Sequence, residues 1–163
     1  MKQVYNPYLP SYEYVPDGEP RVFNNRLYVY GSHDRFNGNT YCMEPYTVWS
    51  CPIDDLSDWT NHGIIYDGKK DPLNETQKRY MFAPDCIEKD GVYYLFYGLD
   101  NSRTISVATS NCPEGPFTFY GNVHHPDGIV WGMKEGDRQQ FDPGIFIDDD
   151  EKIYLYSGFS STP

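Results

Sequence analysis

Three aspartates stand beside prolines at wide intervals: Asp17 in Pro16-Asp17-Gly18, Asp85 in Ala83-Pro84-Asp85 and Asp142 in Phe141-Asp142-Pro143. Carboxylates gathered from separate parts of a fold can cut a glycosidic bond, one as base and another as acid, when their surroundings separate their pKa values. The same convergence can bind a cation. A single Asp next to Pro can also do no more than cap its own turn. Repetition at equivalent points favours a shared site, so the elements that carry the acids matter.

Each acid opens one pattern. Asp17 leads into Glu19-Pro20-Arg21-Val22-Phe23, then Asn24-Asn25, then Arg26-Leu27-Tyr28-Val29-Tyr30. Asp85 leads into Cys86-Ile87-Glu88-Lys89, then Asp90-Gly91, then Val92 to Tyr97, and Asp142 into Gly144 to Ile147, then Asp148 to Glu151, then Ile153 to Tyr156. Asn-Asn and Asp-Gly tolerate the positive φ of a tight hairpin. The return strands are apolar on both faces, as in strands packed between two sheets. After the first hairpin come Thr47 to Cys51 and Asp58 to Ile65, and after the second Ile105 to Ser110 and Gly115 to Gly121. The unit is therefore hairpin, third strand, loop and outer fourth strand. Such self-similarity predicts an all-β fold, a β-propeller of four-stranded blades. Blade one spans about 12–66, blade two about 80–124, and the start of blade three about 138–163. Propellers close with ~4–8 blades, so the chain is expected to be the N-terminal part of a longer polypeptide.

Composition agrees with strands and turns. There are 16 Tyr, 9 Phe and 3 Trp in 163 residues, with 14 Gly and 13 Pro to punctuate them. Tyr and Trp also suit sugar surfaces, offering an apolar face with a polar tip. A net charge of −11 argues against nucleic acid as a partner. No run approaches the ~20 apolar residues of a membrane-spanning helix. Met1 to Pro7 shows no apolar export signal, so a cytoplasmic address is expected unless a leader has been removed. Four cysteines, at 42, 51, 86 and 112, fit neither a zinc site nor a disulfide scaffold and read as buried free thiols.

Asn6-Pro7-Tyr8-Leu9-Pro10, Val15-Pro16-Asp17-Gly18-Glu19-Pro20, Phe82-Ala83-Pro84-Asp85 and Phe141-Asp142-Pro143 through Asp148-Asp149-Asp150 resemble glycoside hydrolase family 43. Gly115-Pro116-Phe117 and Val48-Trp49-Ser50 followed by Asp58-Trp59 add to the likeness, which runs in order along the whole chain. The resemblance implies a five-bladed propeller, here about two and a half blades of it. It also implies inverting hydrolysis of arabinose- or xylose-containing plant cell-wall saccharides. It makes Asp17 the general base and Asp142 the group that tunes the pKa of the acid. Asp85, Phe82, Trp49 and His33 are then substrate-binding candidates, with Asp85 the more structural of them. The acid itself, a Glu, is expected beyond Pro163. Glu114-Gly115-Pro116 imitates its segment but sits late in blade two and reads as a surface loop; Glu19, on the strand of Asp17, is too close to oppose it. No cofactor and no catalytic metal are implied, though a complete propeller leaves room for a structural calcium. His124-His125 lacks a third ligand at metal spacing, Asp148-Asp149-Asp150 reads as a turn, and Asn74-Glu75-Thr76 is a sequon only in a secreted eukaryotic protein. Two other classes remain open: a non-catalytic carbohydrate-binding or scaffold propeller, and a protein-interaction propeller.

Overall fold

The computed structural model describes residues 7–158, so Asn6 and the final residues of the third unit lie outside the described residues. Strands β1 (Glu19–Phe23), β2 (Arg26–Tyr30), β3 (Tyr46–Pro52) and β4 (Thr60–Tyr66) form one antiparallel sheet in chain order. Strands β5 (Met81–Lys89), β6 (Val92–Leu99), β7 (Ile105–Ser110) and β8 (Thr118–Asn122) repeat it, and β9 (Gly144–Ile147) pairs with β10 (Ile153–Tyr156). The first strands meet one another, β1 against β5 and β5 against β9, so the sheets radiate from a shared inner edge. These are propeller blades.

The hairpins turn where their residues allow. Asn24 and Asn25 both take positive φ, 50° and 59°, as do Asp90 and Gly91 at 54° and 78°, the backbone a two-residue turn requires. The link between β4 and β5 holds two single 3-10 turns, Gly68–Lys70 and Pro72–Asn74, each started by an Asp side chain that accepts from the backbone two residues on.

Tyrosine fills the seam between the first two blades. Tyr28, Tyr30, Tyr46 and Tyr66 pack against Tyr93, Leu95, Tyr97 and Phe117, all buried. A buried phenol needs a partner for its hydroxyl, and here most partners belong to the neighbouring blade. Tyr30 donates to the Pro113 carbonyl (2.8 Å), and Tyr46 donates to that of Phe82 (2.9 Å). Tyr97 donates to buried Asp71 at 2.6 Å and shares a 2.8 Å bond with Tyr66. Burial pushes the Tyr66 hydroxyl up to about 12 and Tyr97 higher still, so both stay protonated and available as donors.

Strand β10 lies open, with Tyr156 66% and Ile153 44% exposed, and among the described residues β9 alone pairs with it. One sequence expectation needs correction. Cys42, Cys51 and Cys86 are buried, but Cys112 is exposed in the β7–β8 loop. The sequon asparagine is buried, at 1% exposure. Asn74 donates to the carbonyls of Gly68 and Arg79 and accepts from the Arg79 amide, which closes the interblade link.

The tyrosine–aspartate chain yields a stability prediction. Tyr97→Phe removes a donor from buried Asp71 and a partner from Tyr66, and should cost about 1–3 kcal/mol. The midpoint of urea unfolding measures it, with Tyr94→Phe on the half-buried side of the same strand as the control.

Candidate active site

Asp17 and Asp142 precede β1 and β9, and both hold left-handed backbone, φ 54° and 49°. Asp is among the few non-glycine residues that tolerate this region. The two therefore leave their blades in the same manner at the same end. The Ser32 hydroxyl donates to Asp17 Oδ2 at 2.9 Å and accepts from the Ala83 amide at 2.8 Å, tying the first acid to the second blade. That amide is turned out by a bulge between Phe82 and Asp85, where Ala83 takes φ 34°. Pro84 in the strand is the sequence mark of such a break.

The acids share one electrostatic environment. Partial burial of its carboxyl, and then the negative charge of Asp17, raise the pKa of Asp142 above the usual carboxylate value. Both charges also reach buried Tyr46 and the Cys42 thiol. Burial pushes that thiol up to about 11, so it stays neutral beside them. Phe82, which precedes the bulge, packs its ring on that of Phe141, the chain neighbour of Asp142, at 5.4 Å between centroids.

Asp85 does something else. It is 0% exposed on β5, and its carboxylate takes four donors. Oδ1 accepts from Arg21 Nε (2.8 Å) and the Cys86 amide (2.7 Å); Oδ2 accepts from Arg21 Nη2 and the Ile145 amide (2.7 Å). Arg21 Nη2 also donates to the Ile145 carbonyl at 2.8 Å. One ion pair thus joins β1, β5 and β9. The expectation that Asp85 meets substrate is corrected: it has no exposed surface and no open acceptor position.

The other candidates divide. Phe82 is half-buried against Phe141. Trp49 is 5% exposed and donates its indole N–H to Glu13 (2.8 Å), so it offers no ring face to a sugar and is a packing residue. His33 follows Ser32 on the loop leaving β2; its Nδ1 meets the Pro45 carbonyl at 2.8 Å, and its Nε2 lies 3.9 Å from Glu13. Glu19 stands at the exposed start of β1, where partial loss of solvent around its carboxyl, followed by the charge of Asp85, raises its pKa. Glu114 is not a free surface loop. It accepts from Tyr28 at 2.7 Å, in the blade seam. Its loop follows Ser110, which pairs with Tyr93 beside the Asp90-Gly91 turn, so it sits at the hairpin end of the sheets, opposite the end that carries Asp17. His125 Nε2 lies 2.9 Å from Asp137 Oδ2, a hydrogen-bonded pair that sequence reasoning missed, while Asp137 also accepts from the amides of Gly132 and Lys134. Among the described residues no three His, Cys, Asp or Glu side chains converge on a metal position.

The sequence model of Glycosyl hydrolases family 43 matches residues 17–162. The chain belongs to glycoside hydrolase family 43. Similar proteins include a xylosidase/arabinosidase of Thermoclostridium stercorarium, 51% identical over 97% of this chain and 33% of its own. Another is xylosidase/arabinosidase 43A of Humicola insolens, 36% identical over 89% of this chain and 43% of its own. Among solved structures, a family 43 β-xylosidase/α-arabinofuranosidase from a compost metagenome, in complex with xylotriose, superposes with a TM-score of 0.71 at 30% identity. That match covers 95% of this chain and 45% of that one. The chain spans a third to under a half of the length of these relatives.

Three outcomes follow for this family 43 chain. Asp142 binds its proton more tightly folded than unfolded, so between its ordinary and raised values stability falls as pH rises. Asp17→Asn removes the neighbouring charge; the Asp142 midpoint, followed by carboxyl-carbon NMR, should move down, and an unmoved midpoint would uncouple the pair. Arg21→Ala leaves the Asp85 charge buried with backbone donors alone and should cost about 3–5 kcal/mol in chemical unfolding at neutral pH.

Proposed function

We propose that the polypeptide carrying this chain is an inverting glycoside hydrolase acting on arabinose- or xylose-containing saccharides of plant cell walls. The observation that carries the reading is the charge coupling of Asp17 and Asp142, two acids from separate blades at one end of the propeller. Relatives named as xylosidase/arabinosidase support the substrate class.

In this reading Asp17 is the general base. Ser32 holds Oδ2, which leaves Oδ1 to take the proton of a water attacking the anomeric carbon. Asp142 supplies negative charge near the general acid, which favours the acid's protonated form. Phe82 and Phe141 flank the sugar on its apolar side. The acid lies on residues outside this chain, across a gap of roughly 6.5–9.5 Å that admits the water. Glu114, at the far end of the sheets, does not fill that place.

The test uses a polypeptide that joins these residues to the blades the relatives carry. Asp17→Asn should lower turnover of aryl β-xylosides or α-arabinofuranosides by about 10²–10⁴-fold, with substrate still bound. Proton NMR of the first-formed product should show the inverted anomer. Residues 1–163 alone should turn over neither substrate. Undiminished turnover by Asp17→Asn removes the base assignment, and a retained anomer removes the mechanism.

A further inference from the structure

On the face that carries Asp17, a cavity of about 260 Å³ opens between the loop leaving β2 and the link from β4 to β5. Its charge opposes that of the molecule. Arg35, Lys69, Lys78 and Arg79 line it against two carboxylates, Glu44 and Asp67, in a chain of net charge −11. Those carboxylates are engaged. Glu44 pairs with Arg35, and Asp67 accepts from the Lys69 amide at 3.0 Å to start its turn. Arg79 is held in place, its Nη1 donating to the Asn101 carbonyl (3.1 Å) and its amide to buried Asn74 (2.9 Å). The ammonium groups of Lys69 and Lys78 have no hydrogen-bond or ion-pair partner among the described residues.

The wall is built rather than loose. Gly68 packs so closely on Met81 that a Cβ there would lie 2.6 Å from it. Cys42 forms the partition toward the acids: it lines the cavity, and its thiol lies against the Ser32 hydroxyl that donates to Asp17. The recess with its two unpartnered ammonium groups therefore lies across Cys42 from the acids. Unpaired ammonium groups and a fixed guanidinium recognise an anion by charge-assisted hydrogen bonds, while Gln77 and Tyr80 offer hydroxyl-compatible contacts.

We propose that this cavity takes the carboxylate of a uronic-acid branch on a saccharide whose neutral backbone lies at Asp17 and Asp142. The inference rests on the proposed function for the backbone and goes beyond it in assigning the branch. Calorimetric titration of the protein tests it with four ligands: a xylo-oligosaccharide bearing a glucuronic acid branch, the same oligosaccharide unbranched, free glucuronate and inorganic phosphate. The acid-branched ligand should bind about tenfold more tightly than the unbranched one at low salt. That gain should vanish in Lys69→Gln/Lys78→Gln and shrink at high salt, with the unbranched ligand unaffected by the substitutions. Equal affinities, or a gain that survives the double substitution, overturn the assignment. Lysine-dependent binding of free glucuronate or phosphate without a gain for the branched chain also overturns it, in favour of a free-anion site. If the unbranched ligand alone fails to bind, the proposed backbone function is at fault; the branched ligand must still bind through the lysines or the cavity assignment falls too.

Discussion

A guanidinium on the first blade, a carboxylate on the second and a peptide unit on the third meet in one bonded cluster, and the geometry of the mouth depends on it. Burying a carboxylate is costly unless its acceptor positions are filled. Asp85 has four donors, two from Arg21 and two from backbone. Because those donors come from β1, β5 and β9, the charge is satisfied only when the three inner strands are correctly spaced. Asp17 lies just upstream of Arg21, and Asp142 just upstream of Ile145. The distance between the two acids is inherited from the cluster, and so is their coupling.

Around that axis the blades are held by tyrosine in a role phenylalanine could not fill. Tyr28, Tyr30 and Tyr46 bury their rings in the seam and spend their hydroxyls on acceptors of the next blade. Ring burial supplies non-directional attraction, and the hydroxyl fixes rotation and register. Such a scaffold suits chemistry that fails when groups shift by an ångström.

Much of this was legible in the sequence because turns and periodicity are local. Asn24-Asn25 and Asp90-Gly91 announced their hairpins, and the repeated third and fourth strands announced blades. Proximity of Asp17 and Asp142 followed from their equivalent places in that repeat. What was not legible depends on partners far apart in the chain. Asp85 looks like its two counterparts until Arg21 is seen folded onto it, and only Asp17 and Asp142 carry the left-handed backbone. Trp49 read as a sugar platform because an aromatic strand residue does not declare its face; Glu13, which binds its indole, comes from the N-terminal segment. The His125–Asp137 pair spans a long irregular excursion with no pattern to announce it. The burial of Asn74 came from a link whose fold no repeat predicted.

The left-handed backbone at positions 17 and 142 also shapes how such a protein can decay. Both sites favour short polar residues or glycine and resist β-branched ones. Asparagine and glycine are each one base change away from aspartate. Either acid can therefore be lost by a single base change while the wheel of sheets stays intact, leaving Asn or Gly at the hub with the backbone it requires.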